Sequence, residues 1–117
     1  MRIQGSRDCG NSPKNRFVQD FAIAIESGDP VPDSVSETIV WEGVSQEPIT
    51  GSAAFAAALK RRRAPQGITI EHAISHGKVG AACGTVLGAN GEERRFAHVF
   101  EFTNTKANCV AVVRTYG

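Results

Sequence analysis

Two stretches at helical spacing, followed by four that alternate with period two, predict an α+β domain. Its helices would pack on one face of an antiparallel sheet. Turn signals at Gly77-Lys78 and Asn90-Gly91 order the alternating stretches as a meander, because Asn-Gly accepts the positive φ of a two-residue hairpin turn. A length of 117 residues leaves room for one domain around one core.

The elements follow in order. Met1 to Asn11 holds Gly5 and Gly10 among polar residues without periodicity, so residues 1–12 read as a flexible leader and 13–117 as the domain. Ser12 suits an N-cap, and Pro13 the first helical position, where a missing N–H costs nothing. Phe17, Val18, Phe21, Ala24 and Ile25 keep helical spacing and Gly28 stops it, which predicts a helix over 13–27. Asp29 to Ser36 carries two prolines and reads as a turn-rich connection with room for one short helical turn. Thr38 to Glu42 is β-branched and aromatic and suits a short strand, from which Pro48 to Gly51 returns. Ser52 then caps a second helix with Phe55, Ala56 and Leu59 as its buried stripe. The meander strands are Ile68–Ser75, Val79–Leu87, Arg94–Thr103 and Asn108–Tyr116.

Alternation assigns the faces. Ile68, Ile70, Ile74, Val79, Ala81, Leu87, Phe96, Phe100, Phe102, Ala111 and Val113 are expected inside. The other face mixes Thr69, Glu71, Arg95, Glu101 and Arg114 with Ala82, Val86, Val99, Val110 and Val112. Such a face is too apolar for plain solvent exposure, and a sheet-to-sheet homodimer would cover it. With two-residue turns on both sides, His72, Cys83 and His98 fall in one row on the inner face, with opposed Cβ atoms about 4.5–5.5 Å apart. Imidazole and thiolate are good zinc ligands, with Glu42 available to complete a set, but familiar ligand spacing is missing. Cys83 serves equally as a small buried hydrophobe. No metal or other cofactor is assigned.

Thirteen Lys and Arg against twelve Asp and Glu give a formal net charge of +1, which supports no nucleic-acid partner. The run Lys60 to Arg63 ends a predicted helix, where cations complement the dipole. Cys9, Cys83 and Cys109 are odd in number and lack CxxC spacing, which argues against a disulfide framework. With no apolar signal region and no membrane-length apolar run, the expected place is the cytoplasm.

The order of motifs resembles the SnoaL-like branch of the nuclear-transport-factor-2-like superfamily. It runs from Ser27-Gly28-Asp29 through Ile39 to Val44, Ile49-Thr50-Gly51 and His76-Gly77 to Arg95–Phe102. The resemblance covers roughly residues 14–117. It implies a cone-shaped fold in which a curved antiparallel sheet, made of the meander and a short N-terminal hairpin, wraps the helices and encloses a cavity. It also implies a homodimer. Val40 to Gly51 is similar to the ketosteroid-isomerase segment that carries the general base, which puts Glu42 at that position. His98 falls on the oxyanion donor. Phe21 falls on the isomerase's tyrosine donor and cannot donate, so the oxyanion hole is reduced to His98.

The resulting expectation is a cavity for a small apolar molecule. Glu42 would act as base and His98 as donor for proton abstraction next to a carbonyl. Phe17, Phe21, Val40, His72, Cys83, Phe96 and Phe100 would line it, although the aromatic residues serve equally as ordinary core. If Glu42 points inward, Trp41 points outward. A non-catalytic binding or dimeric interaction module is the alternative, and a His/Cys metal site is the third reading.

Overall fold

A computed structural model describes residues 1–29, 34–44 and 46–117. In chain order these form β1 (Arg2–Gln4), α1 (Pro13–Ser27), β2 (Val35–Gly43), β3 (Ile49–Thr50), α2 (Ser52–Lys60), β4 (Gly67–His76), β5 (Val79–Leu87), β6 (Glu93–Phe102) and β7 (Val110–Tyr116). All seven strands belong to one sheet, ordered β1-β4-β5-β6-β7-β2-β3. The α+β class is as expected. The sheet is mixed, however: β1 runs parallel to β4 and β2 parallel to β7, flanking the antiparallel meander. The connection expected to hold a helical turn runs through 30–33, outside the described residues.

α1 has the predicted limits and signals. Ser12 accepts the Asn15 N–H at its side chain, and Gly28 ends the helix at φ 81°, its own N–H donating to Ala24. A Cβ at Gly28 would stand 2.8 Å from the Leu59 carbonyl oxygen, so glycine also lets the ends of α1 and α2 approach. α2 is capped by the Gly51 backbone, with Ser52 already helical, and it buries Phe55 and Leu59. Residues 1–12, expected as a loose leader, carry β1 and pack along the β4 edge. The Ser6 backbone N–H and hydroxyl donate to Gln19 Oε1, and the Ala73 N–H donates to the Asp8 carboxylate at 3.0 Å. Edge-strand donors are thereby satisfied.

Within the meander, register departs from simple alternation at three places. The β4–β5 turn is the predicted two-residue Gly77-Lys78, with His76 opposite Val79. A bulge between Ile70 and His72 then leaves both Glu71 and His72 exposed and makes Ala73 the next inward residue. Inward positions on β5 are therefore Ala82, Gly84 and Val86. Ile74, Val79 and Leu87, expected in the core, are exposed. The small, apolar character of β5 on both faces hides which one is buried. The β5–β6 loop is also longer than predicted. Gly88 donates to Glu92, Gly91 donates to Gly88, and Gly91 takes φ 86°, which makes a three-residue loop. That shifts the pairing by one, so His98 lies opposite Ala82 and Cys83 opposite Ala97. The third departure lies between Glu101 and Phe102, where Val110 and Val113 turn inward in place of alternate residues.

The core is aromatic. Phe21 meets Phe100 edge-on at 5.2 Å between centroids and lies stacked on Phe55 at 6.2 Å, while Trp41 meets Phe55 at 5.3 Å. Phe55 and Phe100 are essentially inaccessible. Such pairs contribute about 0.5–1.5 kcal/mol each beyond area burial. A Cβ at Gly84 would overlap the Thr69 carbonyl, so the strand opposite the bulge has no room for a larger residue.

Candidate functional site

The polar chemistry gathers at one end of the core, around a carboxylate on α1. Glu26 lies on the helix face that carries Val18, Ala22 and Ile25, and is 2% exposed. Its Oε2 accepts His98 Nε2–H at 2.6 Å. Its Oε1 accepts from Arg94 Nη2 at 2.6 Å and from Arg62 Nη1 at 3.3 Å. β6 supplies His98 and Arg94 from one face, four residues apart along the period-two strand. Arg62 follows α2, and its guanidinium lies 5.1 Å from the centre of the Trp41 ring.

A second set of bonds continues from the other side of the imidazole. Thr115 on β7 is the register partner of His98, and its Oγ1 is 2.8 Å from Nδ1. Trp41 Nε1–H donates to the same oxygen at 2.8 Å. An ionised carboxylate only accepts, so Nε2 of His98 carries a proton. Nδ1 and the Thr115 hydroxyl share the second bond of the ring, with Thr115 the donor when the ring is neutral and the acceptor when it is charged. The result is a continuous chain from Trp41 through Thr115 to His98 and on to Glu26. Among the described residues no buried side-chain polar atom lacks a partner.

Burial works against the charge of Glu26. The His98 hydrogen bond and the positive field of His98, Arg62 and Arg94 outweigh it and bring the pKa from 4.5 down to about 2. Three clefts that share Arg62 open beside the group. One of about 260 Å³ is lined by Glu26, Arg62, Arg63, Asn90 and Arg94, among others. One of about 210 Å³ touches Glu26, Trp41, Gln46, Arg62, Arg94 and Thr115. The third, about 180 Å³, lies between Trp41, Glu47 and Ala58. A larger cleft of about 530 Å³, between Arg2, Thr69, Thr85 and Glu93, holds no buried titratable group.

Several expected site residues lie elsewhere. Glu42 and His98 are not brought together. Trp41 points inward and Glu42 outward, where Arg114 Nε stands 3.5 Å from its carboxylate while Arg114 Nη1 donates to Glu101. Strand β2 therefore has the opposite phase from the one expected. His98 is on the inner face, fully buried. The His72–Cys83–His98 row is broken: His72 and Cys83 are opposed, but outside, and His72 pairs with Asp8 at 3.0 Å. Val40 is half-buried, paired with Thr50. Phe21, Phe96 and Phe100 fill the interior where a cavity was expected, and Phe17 packs on Phe21 and Phe102. Glu26, Arg62, Arg94 and Thr115 were not anticipated. Glu26 did leave a trace: it is an acid in the last turn of a helix, where the dipole disfavours anions, on the apolar stripe.

No family model and no curated protein matches the sequence. Solved structures do match. A nuclear-transport-factor-2-like protein of unknown function from Burkholderia xenovorans LB400 superposes with TM-score 0.71 at 19% identity, covering 88% of this chain and 81% of its own. An LEH-like epoxide hydrolase from M. tuberculosis gives TM-score 0.67 at 21% identity, with 88% and 80% covered. The fold is the nuclear-transport-factor-2-like cone. A de novo designed protein with a curved β-sheet is equally similar in shape, at TM-score 0.66 and 14% identity over 90% of this chain and 85% of that one. The nuclear-transport-factor-2-like cone thus accommodates an enzyme and a designed chain alike, and function has to be argued from the site.

Proposed function

We propose that this chain is a small-molecule-binding module whose ligand is taken at the mouth of the cone, beside Glu26, Trp41, Arg62, Arg94 and Thr115. The observation that carries this reading is the buried Glu26–His98–Thr115–Trp41 chain ending in open clefts. Apolar residues of similar volume stabilise a core as well as a buried ion pair does, so the pair is better explained by what it holds in place. It fixes two arginines and an indole around space that a ligand can enter.

Binding is favoured over proton abstraction on three grounds. Glu42 faces away from His98. Both nitrogens of His98 are engaged and its ring is buried, so it has no free donor for a carbonyl. Glu26 does not inherit the role of base, because a carboxyl held near pKa 2 is a poor proton acceptor at neutral pH.

The test is a fragment screen on ¹⁵N-labelled protein. The single tryptophan gives one indole N–H resonance, which lies in the site. Binders should shift that signal together with Thr115 and Arg94. Fragments that bind only at the outer sheet face, or a library that leaves the mouth unperturbed, would overturn the reading.

A second reading concerns the outer face. Ile74, Ala81 and Val99 are consecutive register partners across β4, β5 and β6, and Ile74 and Val79 are exposed. This apolar row, edged by the charged Glu42, Arg114 and Glu101, supports a homodimer formed through the sheet.

A further inference from the structure

We infer that the ligand received at this mouth is a small organic carboxylate, held by Arg62 and Arg94 with its apolar part against Trp41. This rests on the binding reading above and names the ligand's chemical class.

The argument begins with charge. Arg62, Arg63 and Arg94 line the two clefts that share Glu26, and among the described residues Glu26 is the one acid that lines them. One carboxylate therefore faces three guanidinium groups, leaving local positive charge for an incoming anion. Glu47 lines the third cleft and neither of these two.

Donor capacity points the same way. A guanidinium has five N–H groups. Among the described residues Arg62 and Arg94 each spend one on Glu26, and their side chains stay 29% and 49% exposed. Glu26 is itself engaged at both oxygens: one takes both arginines and the other takes His98. It anchors the two cations without using up their capacity. Arg62 is fixed a second time by the face of Trp41. Two cations held in place before the ligand arrives lose little freedom on binding, and planar guanidinium matches a carboxylate through paired N–H bonds.

Size and shape narrow the class. At about 210 Å³ the cleft lined by Trp41, Arg62, Arg94 and Thr115 lies below the range of roughly 300–1,000 Å³ usual for drug-sized ligands. Trp41 is 8% exposed with Arg62 over its ring, so it offers an apolar edge beside the two cations, which suits an acid with a short flat or branched apolar portion. A bare inorganic anion would leave that edge unused.

Sodium benzoate, benzamide and inorganic phosphate, titrated at constant ionic strength and followed by Trp41 fluorescence and its indole resonance, provide the test. Benzoate should saturate with a Kd at least tenfold below that of benzamide and phosphate, and added chloride should raise it. Arg94→Gln and Arg62→Gln should each bring benzoate to the level of benzamide, with circular dichroism confirming the fold. If a variant does not fold, the wild-type comparison decides alone. Equal binding of benzoate and benzamide, or phosphate as tight as benzoate, would overturn the carboxylate class while leaving a ligand site at the mouth. Silence at Trp41 from these probes and from every neutral fragment would overturn the site as well.

Discussion

Glu26 concentrates more of the chain's energetics than any other side chain at the site, because it is charged, buried and shared by three donors. Its low pKa ties stability to pH. Above about 4.5 the group is ionised in folded and unfolded chains alike, and its contribution is complete. As pH falls towards 2, the unfolded chain takes up the proton first and the contribution disappears. The size is on the order of 3 kcal/mol for a carboxyl lowered from 4.5 to about 2. Urea denaturation between pH 5 and 2 should show this loss in the wild type and a much flatter profile in Glu26→Gln. The Asp8 carboxylate, held low by the Ala73 amide and by His72, titrates in the same sense, so the difference between the two proteins is the quantity to read. The two histidines on the sheet should behave oppositely. His98→Ala leaves Oε2 of a buried carboxylate without its donor and opens a void beside Phe96 and Phe100, and should cost about 3–5 kcal/mol. His72→Ala removes an exposed ring and should stay within about 0.5 kcal/mol. From sequence these two residues looked equivalent, since both sat in the same phase of an alternating pattern. What separated them was the bulge at Glu71, which alternation does not encode. Glu26 was passed over for a related reason: a glutamate in a helix is usually solvated, and its partners are 36, 68 and 72 positions away.

Among elements, the strands show what local pattern can and cannot specify. α1 was legible to the residue, because its cap, its proline, its apolar stripe and its terminal glycine all agree. β6 was legible too, since Phe96, Phe100 and Phe102 leave no doubt which face is buried. β5 was read upside down. Its sequence of Val, Gly, Ala, Ala, Cys, Gly, Thr, Val and Leu is small and apolar on both sides, and the deciding facts are a bulge in β4 and one extra loop residue. Gly84 lies at the centre of that correction, facing the bulge where no Cβ fits. Gly84→Ala should therefore destabilise the protein by about 1–3 kcal/mol, the cost typical of overpacking, as a lowered urea midpoint with unchanged slope. Strand β2 was also read in the wrong phase, and that single inversion moved Glu42 out of the site and Trp41 into it.

For the whole molecule, the fold was readable where the site was not. The order of helix, hairpin, helix and meander survives errors of register, because topology depends on which elements follow one another. A site depends on single residues and does not survive them. The proposed dimer belongs to this scale. Ile74→Glu replaces an exposed residue on the outer apolar row, so it should leave monomer stability within about 0.5 kcal/mol. In sedimentation equilibrium it should convert a dimeric wild type to monomer; a wild type already monomeric at high concentration would remove the dimer reading.

The parallel pairing of β2 with β7 has a consequence for time as well as for shape. The meander closes through short turns, whereas Trp41 reaches Thr115 across 74 positions of chain. Loop closure of that length makes the docking of β2, which brings Trp41 and the buried Ile39 into the core, an ordering step separate from closure of the meander. Opening of β2 would dismantle the mouth and strip Trp41 from Phe55, while Phe21 and Phe100 stay packed on each other. A molecule seated against Trp41 would act as a clasp on this strand. Its presence should slow amide hydrogen exchange in β2 far more than in β5, so β2 would keep the record of occupancy.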